Sequence, residues 1–392
     1  MDLSSLSLDA LAAVVLGVPS LLLFFEVVLA KSREDDSQID GHEAHPNYRV
    51  LIPAHDEEGG IEACLRALIP HLPSPQTALV VADNCSDETA SIAAALGVEV
   101  LSRDDSEHRG KGYALKHGLE HLALDPPECV VFLDADCAYL RGGPRQLAAL
   151  AIRSGRPTQG LFLMEAEDQS SLGVRAAAFA VRLKNDLRVR GLSRISGAVS
   201  LQGSSFALPW SACAAAPPPV DELAEDAVWG WRLADRGWPP LFSEETRCEG
   251  RLAVGEDATR IQRARWERGT LLGAWRVLPL ILMRSLLKGR LSVSALALDG
   301  LVPPLSILAF GCALFALLGG LVNGFQAISL TPISLLLSAV FIAWFRVGRD
   351  LIAARELSAL LVHALVRIVR LPSTVFSGNE WRRTPRERVT EE

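Results

Sequence analysis

Between residues 300 and 345 the chain has no charged residue and no histidine, and no other feature restricts its architecture as much. One bilayer crossing takes about 20 apolar residues, so this run is about twice what a single span needs. Gly319, Gly320, Asn323 and Gly324 punctuate its middle, and Pro303 and Pro304 mark its start. The pattern predicts a transmembrane hairpin over residues 297–348. A second apolar stretch, residues 11–30 (LAAVVLGVPSLLLFFEVVLA), is also long enough to span. A cleaved signal peptide would begin with basic residues. Here the start, MDLSSLSLD, is acidic, and Lys31 and Arg33 follow the stretch. We therefore expect a transmembrane helix over residues 9–30, with Glu26 near its basic end and reaching the interface, because a buried lone acid is costly.

Positive residues set the orientation. Lys31 and Arg33 follow the first span, Arg346 and Arg349 follow the hairpin, and the hairpin turn has neither Lys nor Arg. This predicts an integral protein of a bacterial-type inner (plasma) membrane with its middle region, residues 45–270, in the cytoplasm. Residues 271–290 hold Arg276 and Arg284 within an apolar pattern and read as an interfacial amphipathic helix. Residues 351–392 read as an interfacial or membrane helix and a basic cytosolic tail, WRRTPRER.

The middle region has a soluble composition. The net charge is −7, and no basic stripe interleaves with aromatics, which argues against a nucleic-acid partner. Seven cysteines without a CxxC pair fit reduced thiols better than a disulfide or metal framework. Short apolar runs at residues 48–54 (YRVLIPA), 78–82 (ALVVA), 98–101 and 130–133 (VVFL) alternate with helical patterns. That alternation predicts an α/β domain with a mostly parallel sheet, and such sheets bind ligands beyond the carboxyl ends of their strands. Asp56, Asp83, Asp134 and Asp136 all stand just past predicted strand ends.

Asp134 and Asp136, one residue apart after VVFL, can share a divalent cation that completes its shell with phosphate oxygens. A helix cap would use the same residue types. Asp83 opens the DNCSDE segment, where a carboxylate can meet a nucleobase or ribose, or simply cap the next helix. Gly110-Lys111-Gly112 permits close backbone approach, with Lys111 placed to offset diphosphate charge, although it is not a Walker loop. Glu225 and Asp226 open a predicted helix. Acids there compensate the helix dipole, and a positioned carboxylate such as Asp226 can also take a proton from an attacking hydroxyl. Gln262, Arg265 and Trp266 share one helix face at i, i+3 and i+4. Gln and Arg suit phosphates and sugar hydroxyls, and an indole suits a pyranose face. A basic-aromatic face is equally common at a membrane interface.

The ordered series LIPAHDEE, VVADNCSDETA, GKGYAL, FLDADC, LQGSSFALP, EDAVWGWRL and IQRARWERG resembles the family 2 glycosyltransferases. The resemblance is to the membrane-integrated branch with the cellulose, hyaluronan and poly-N-acetylglucosamine synthases, over residues 46–290. It implies a GT-A nucleotide-sugar-binding domain and an inverting transfer from a nucleotide sugar, a UDP-sugar by resemblance. The acceptor would be lipid-linked or a growing polysaccharide, in exopolysaccharide or cell-envelope glycan synthesis, with export or polymerisation proteins as further partners. By the same resemblance Asp83 contacts the uracil or ribose and Lys111 lies near the phosphates. Asp134 and Asp136 hold the donor diphosphate with Mg²⁺ or Mn²⁺. Gly203, Ser204 and Ser205 lie near the acceptor, Asp226 is the base, and Gln262, Arg265 and Trp266 bind diphosphate and acceptor sugar.

Two departures qualify the branch. QGSSFALP lacks the Cys and aromatic residues of cellulose synthases, and Ala224 stands where those enzymes carry Thr. A polyprenyl-phosphate or lipid glycosyltransferase is the alternative. A nucleotidyltransferase would carry a GGxGxR-like loop at the first strand, which LIPAHDEE lacks. A non-catalytic membrane subunit binding nucleotide or polysaccharide would tolerate degenerate acids, and here all are present.

Overall fold

The computed structural model describes residues 3–31, 46–167, 170–253, 255–323 and 326–359. An apolar helix, α1 (Leu3–Leu29), precedes β1 (Tyr48–Ala54), α2 (Ile61–Leu68), β2 (Ala78–Asp83), α3 (Thr89–Ala95), β3 (Glu99–Arg103), α4 (Lys111–Leu122) and β4 (Cys129–Phe132). Then come β5 (Ala138–Arg141), α5 (Pro144–Ser154), β6 (Thr158–Glu165), α6 (Leu172–Arg182), a π-helical turn (Leu183–Arg188) and α7 (Val189–Ser196). The domain closes with β7 (Phe206–Pro209), α8 (Trp210–Ala215), α9 (Glu225–Asp235) and β8 (Leu241–Arg251). The last helices are α10 (Glu256–Leu287), α11 (Leu291–Gly300), α12 (Leu305–Asn323) and α13 (Ala327–Val347).

Among the described residues the strands form one sheet in the order β3-β2-β1-β4-β7-β6-β8-β5. The first four strands are parallel, as the alternating pattern predicts. β7 runs antiparallel to β4 and to β6, and β5 antiparallel to β8. Strand side chains alternate between faces, and each face buries its own core. Val50, Ile52, Val80 and Val131 join one cluster with α2 and α5 residues. Leu51, Leu79, Val81, Val130 and Phe132 join the other with α4 and α9 residues, including Trp229. β2 and β4 lie on opposite sides of β1, so the chain direction across the sheet reverses there, which opens a crevice at the carboxyl ends.

The apolar helices pack onto this domain. α1, α12 and α13 share a cluster with Phe179, Leu183 and Leu187, so α6 and the π-helical turn enter it from the sheet domain. At the close of α13, Arg346 donates to the carbonyls of Val27 and Ala30, both at 2.7 Å, capping the end of α1 with a cation. Among the described residues, four helices are long and apolar enough to cross a membrane: Asp9–Leu29, Glu256–Leu287, Leu305–Val322 and Ala327–Val347.

Two expectations change. Glu26 does not point outward. It is fully buried and its carboxylate meets Arg188 Nε at 2.9 Å; Arg188 also pairs with Asp299. A cation supplied by the domain makes this inward acid tolerable. The boundary at residue 270 falls inside one unbroken helix, α10, because the lone Gly269 after the Gln-Arg-Trp face does not interrupt it. Residues 351–356 form a turn and a short 3₁₀ segment, where Glu356 forks onto Arg175 at 2.7 and 2.9 Å, and residues 357–359 are helical. The expected helix beyond and the WRRTPRER tail lie outside the described residues.

Candidate active site

The acids past the strand ends do converge, in two groups along the carboxyl edge. The nearer group surrounds Lys111. Gly110, at φ +128°, precedes α4, and Lys111 at its first position reaches across β4. Its Nζ lies 2.6 Å from Asp134 Oδ1 and 3.4 Å from Glu225 Oε1, and it donates to the Gly203 carbonyl at 2.7 Å. Gly112 allows this approach, since a Cβ there would lie 2.6 Å from the Pro219 carbonyl oxygen, in the segment leading to α9. Burial would lower the Lys111 pKa, but Asp134, then Glu225 and Asp226, outweigh it and hold the ammonium above the usual lysine value.

Asp226 accepts a short hydrogen bond from the Gly203 backbone N–H through Oδ2. Gly203 sits at φ +57°, and a Cβ added there would stand 3.9 Å from both Asp134 Oδ2 and Asp226 Oδ2. The space above Gly203 is thus the gap between these carboxylates. Ser204 Oγ accepts from the Asp134 backbone N–H at 2.9 Å. Gln159, fully buried on β6, orders this loop by donating to the Gly160 and Ser204 carbonyls and accepting from the Gln202 N–H at 2.8 Å. Sequence reading missed Gln159, whose loop partners, Ser204 and Gln202, lie more than forty residues away.

Asp134, Asp136 and Cys137 each offer a ligand atom, all within 4.8 Å of one another. Burial, followed by the neighbouring Asp134, pushes the Asp136 carboxyl up to about 6. Two close carboxylates, that of Asp136 enclosed by the protein, beside a thiol make a donor set that a divalent cation fits. Cys137 was not expected there. Its thiol donates to Asp136 Oδ1 at 3.3 Å. Glu225 is also a site residue that the sequence did not single out. Burial raises its carboxyl to about 7 although Lys111 pulls it down. Acids at a helix start are too ordinary to single it out without the fold.

Asp83 belongs to the second group, at the end of β2. It is almost fully buried, with Oδ1 2.6 Å from Arg103 Nη1 on the adjoining strand and accepting from Asn84 Nδ2 at 3.1 Å. The Arg103 guanidinium also lies over the Tyr113 ring, 5.5 Å from its centroid. Gln262, Arg265 and Trp266 do lie on one helix, α10. Gln262 is buried and its Oε1 accepts from the Ala253 N–H at 3.3 Å, so it secures the turn into the helix. Trp266 is half-buried against the cluster that contains Ala135, Cys137 and Phe162, behind the Asp134–Asp136 segment. Arg265 is half-buried. Tight glycines fix α10 on α9: a Cβ at Gly269 would lie 2.8 Å from Leu223 Cβ, and one at Gly273 2.6 Å from Val228 Cγ2.

Residues 49–156 match the family model described as Glycosyl transferase family 2. The match includes Asp83, Lys111, Asp134 and Asp136 and stops before Gly203 and Asp226. No curated protein matches the chain. Among solved structures it is similar to the mannosyltransferase PcManGT from Pyrobaculum calidifontis in complex with GDP-Man and Mn²⁺, with 21% identity and a TM-score of 0.50 over 86% of this chain and 99% of that one. It is also similar to glucosyl-3-phosphoglycerate synthase from Mycobacterium tuberculosis in complex with Mn²⁺, UDP and glucosyl-3-phosphoglycerate, with 19% identity and a TM-score of 0.37 over 57% and 79% of the two chains. Residues 49–156 thus resemble a family 2 glycosyltransferase domain, and the chain that carries them has the GT-A fold.

Proposed function

We propose that the chain moves one sugar at a time from a nucleotide sugar, preferentially a UDP-sugar, to a hydroxyl of a lipid-linked or growing polysaccharide acceptor at the cytosolic face of the membrane. The observation that carries this reading is the gap above Gly203, bordered by Asp134 on one side and Asp226 on the other. The Asp226 oxygen at the gap, Oδ2, is the one that the Gly203 N–H steadies, and the carboxylate so held accepts the proton of the acceptor hydroxyl. As that oxygen bonds to the anomeric carbon, the bond from the anomeric carbon to the diphosphate oxygen breaks. The configuration inverts and the nucleoside diphosphate leaves. Lys111 offsets charge on the departing diphosphate, and Asp83, with Arg103, lines the nucleoside end. Arg265 and Trp266 serve the diphosphate and acceptor sugar, over the turn that Gln262 secures. Asp136 with Asp134 would hold Mg²⁺ or Mn²⁺, which supplies further charge neutralisation at the diphosphate.

The membrane placement rests on Lys31 and Arg346, which gather at the domain end of α1 and α13. In α10, Arg276 and Arg284 pair with Glu222 and Asp235 of the domain at 2.9 and 3.1 Å, while Trp275, Leu280, Met283 and Leu287 are exposed. That division suits a helix lying in the interface. The test is transfer from a panel of labelled nucleotide sugars in membranes, with lipid and polymer products separated. Asp226→Asn is expected to keep nucleotide binding and to lose transfer by about 10²–10⁴-fold, the usual worth of a general base. Turnover near that of the unaltered chain would overturn the assignment.

A further inference from the structure

Tyr113 has no role in the reading above. It belongs to the first turn of α4, which holds the segment leading into α9 at consecutive positions. Lys111 Nζ lies 3.4 Å from Glu225 Oε1. A Cβ at Gly112 would stand 2.6 Å from the Pro219 carbonyl oxygen and 2.8 Å from Val220 Cα. The Tyr113 hydroxyl donates to Asp221 Oδ1 at 2.9 Å. Lys111, Gly112 and Tyr113 thus meet, in turn, Glu225, the Pro219–Val220 backbone and Asp221. That stretch delivers Glu225 and Asp226 to the cleft. Pro217, Pro218 and Pro219 precede Asp221, and their fixed φ angles stiffen the upstream side. A displacement at Asp221 therefore passes toward α9.

The ring of the same tyrosine is part of the nucleoside end. The Arg103 guanidinium lies over it, 5.5 Å from its centroid, and the His108 ring is 5.3 Å away between centroids. Arg103 is in turn paired with Asp83 at 2.6 Å and with Asp105 at 2.9 Å. One side chain therefore touches, through its ring, the cation that braces Asp83 and, through its hydroxyl, the approach to the base. The next residue after Asp221 is held independently. Glu222 pairs with Arg276 of α10 at 2.9 Å and with Arg232 of α9 at 3.5 Å. The segment stays pinned to α10 whatever happens at Tyr113, so the phenol sets its register against α4 rather than its folding.

We propose that Tyr113 is a positioning residue that relays occupation of the nucleoside end to the base. A nucleotide that settles against Asp83 and Arg103 fixes the tyrosine ring. The hydroxyl then holds Asp221, and through it the start of α9, so that Asp226 stands at the Gly203 gap. The inference rests on the proposed function and deepens it: the base is held in register when the donor is in place and is looser when it is not.

Amide hydrogen exchange over residues 216–226, read by mass spectrometry on the full chain in a nonionic detergent, tests it with UDP or GDP and Mn²⁺ as probes. Nucleotide should slow exchange there in the unaltered chain. Tyr113→Phe keeps the ring against Arg103 and His108, so it should bind nucleotide equally well and lose most of that slowing. Its kcat should fall about three- to tenfold, the worth of one hydrogen bond. Asp221→Ala should match it, Asp221→Asn, which keeps an acceptor, should recover most of the loss, and the double variant Tyr113→Phe/Asp221→Ala should be no worse than either single one. Equal slowing in Tyr113→Phe, no slowing in the unaltered chain, or losses that multiply in the double variant would each overturn the inference. So would the pattern of a tyrosine that serves stability alone, in which Tyr113→Phe speeds exchange equally with and without nucleotide and leaves kcat unchanged. Because exchange is read without turnover, slowing that depends on Tyr113 in a chain that transfers no sugar would refute the proposed function and leave this relay standing. Sugar transfer with exchange indifferent to Tyr113 would do the reverse.

Discussion

Arg188→Gln probes the joint between α1 and the GT-A domain. Arg188 serves two acids, Glu26 at 2.9 Å and Asp299 through a shorter contact. The Glu26 side chain is 1% exposed, that of Asp299 12% and that of Arg188 15%, so solvent can replace little of what the guanidinium provides. Removing one partner of such a buried group costs about 3–5 kcal/mol. For a unit of about 200 residues each kcal/mol lowers Tm by about 2–4 °C, which gives an expected loss of about 6–20 °C. The chain supplies its own reporter: of seven free cysteines, six are buried and Cys85 is half-buried, so a thiol-reactive fluorophore follows unfolding. Adding Glu26→Gln removes one orphaned acid and should recover a large part of the loss. A Tm within 2 °C of the unaltered protein, or a double variant no better than the single, would refute the idea that this pairing holds the joint.

Gly269→Ala places a methyl 2.8 Å from Leu223 Cβ and 3.0 Å from the Ala224 nitrogen, immediately before the helix that carries Glu225 and Asp226. Overpacking costs about 1–3 kcal/mol, and turnover should fall more than nucleotide affinity, as measured by steady-state kinetics beside nucleotide titration. Glu225, raised from 4.5 to about 7, is protonated in both folded and unfolded chains below pH 4.5. As pH climbs from there to about 7 the unfolded chain ionises first, so this residue's contribution to stability is progressively lost. Glu225→Gln should remove that fall, which shows as a difference in Tm between the two proteins that widens from pH 5 to 7.5. Chelation with EDTA in washed membranes should abolish transfer and Mn²⁺ or Mg²⁺ should restore it; undiminished activity would argue against a cation at Asp134 and Asp136.

The sequence makes the nucleotide half of the sheet legible because β1, β2 and β4 are buried on both faces and so appear as continuous apolar runs. The acids after them stand out against that background. The other half is hidden. β8, LFSEETRCEGR, buries alternate positions with charged residues between them, and its composition resembles a loop. β5 is only four residues long. Loop order at 202–205 depends on Gln159, far away in the chain, and the Glu225–Lys111 contact depends on two distant helix starts meeting. Gly112 was legible as a permissive residue, but the Pro219 carbonyl that requires it belongs to tertiary structure. Glu26 shows the same limit: the pattern gives the cost of burying an acid, and only the fold supplies Arg188.

Gly191 has a mechanical consequence. A Cβ there would lie 2.0 Å from the Glu26 carbonyl oxygen, so α7 and α1 touch backbone to backbone with no side chain as a cushion. In a bilayer, the domain would ride on α1 like a hull with a fixed draught. The cleft could neither rise nor sink relative to the lipid surface without parting that seam. An acceptor would have to present its hydroxyl at one set depth, and the enzyme would select among membrane-borne alcohols by the length between hydroxyl and anchor as much as by their chemistry.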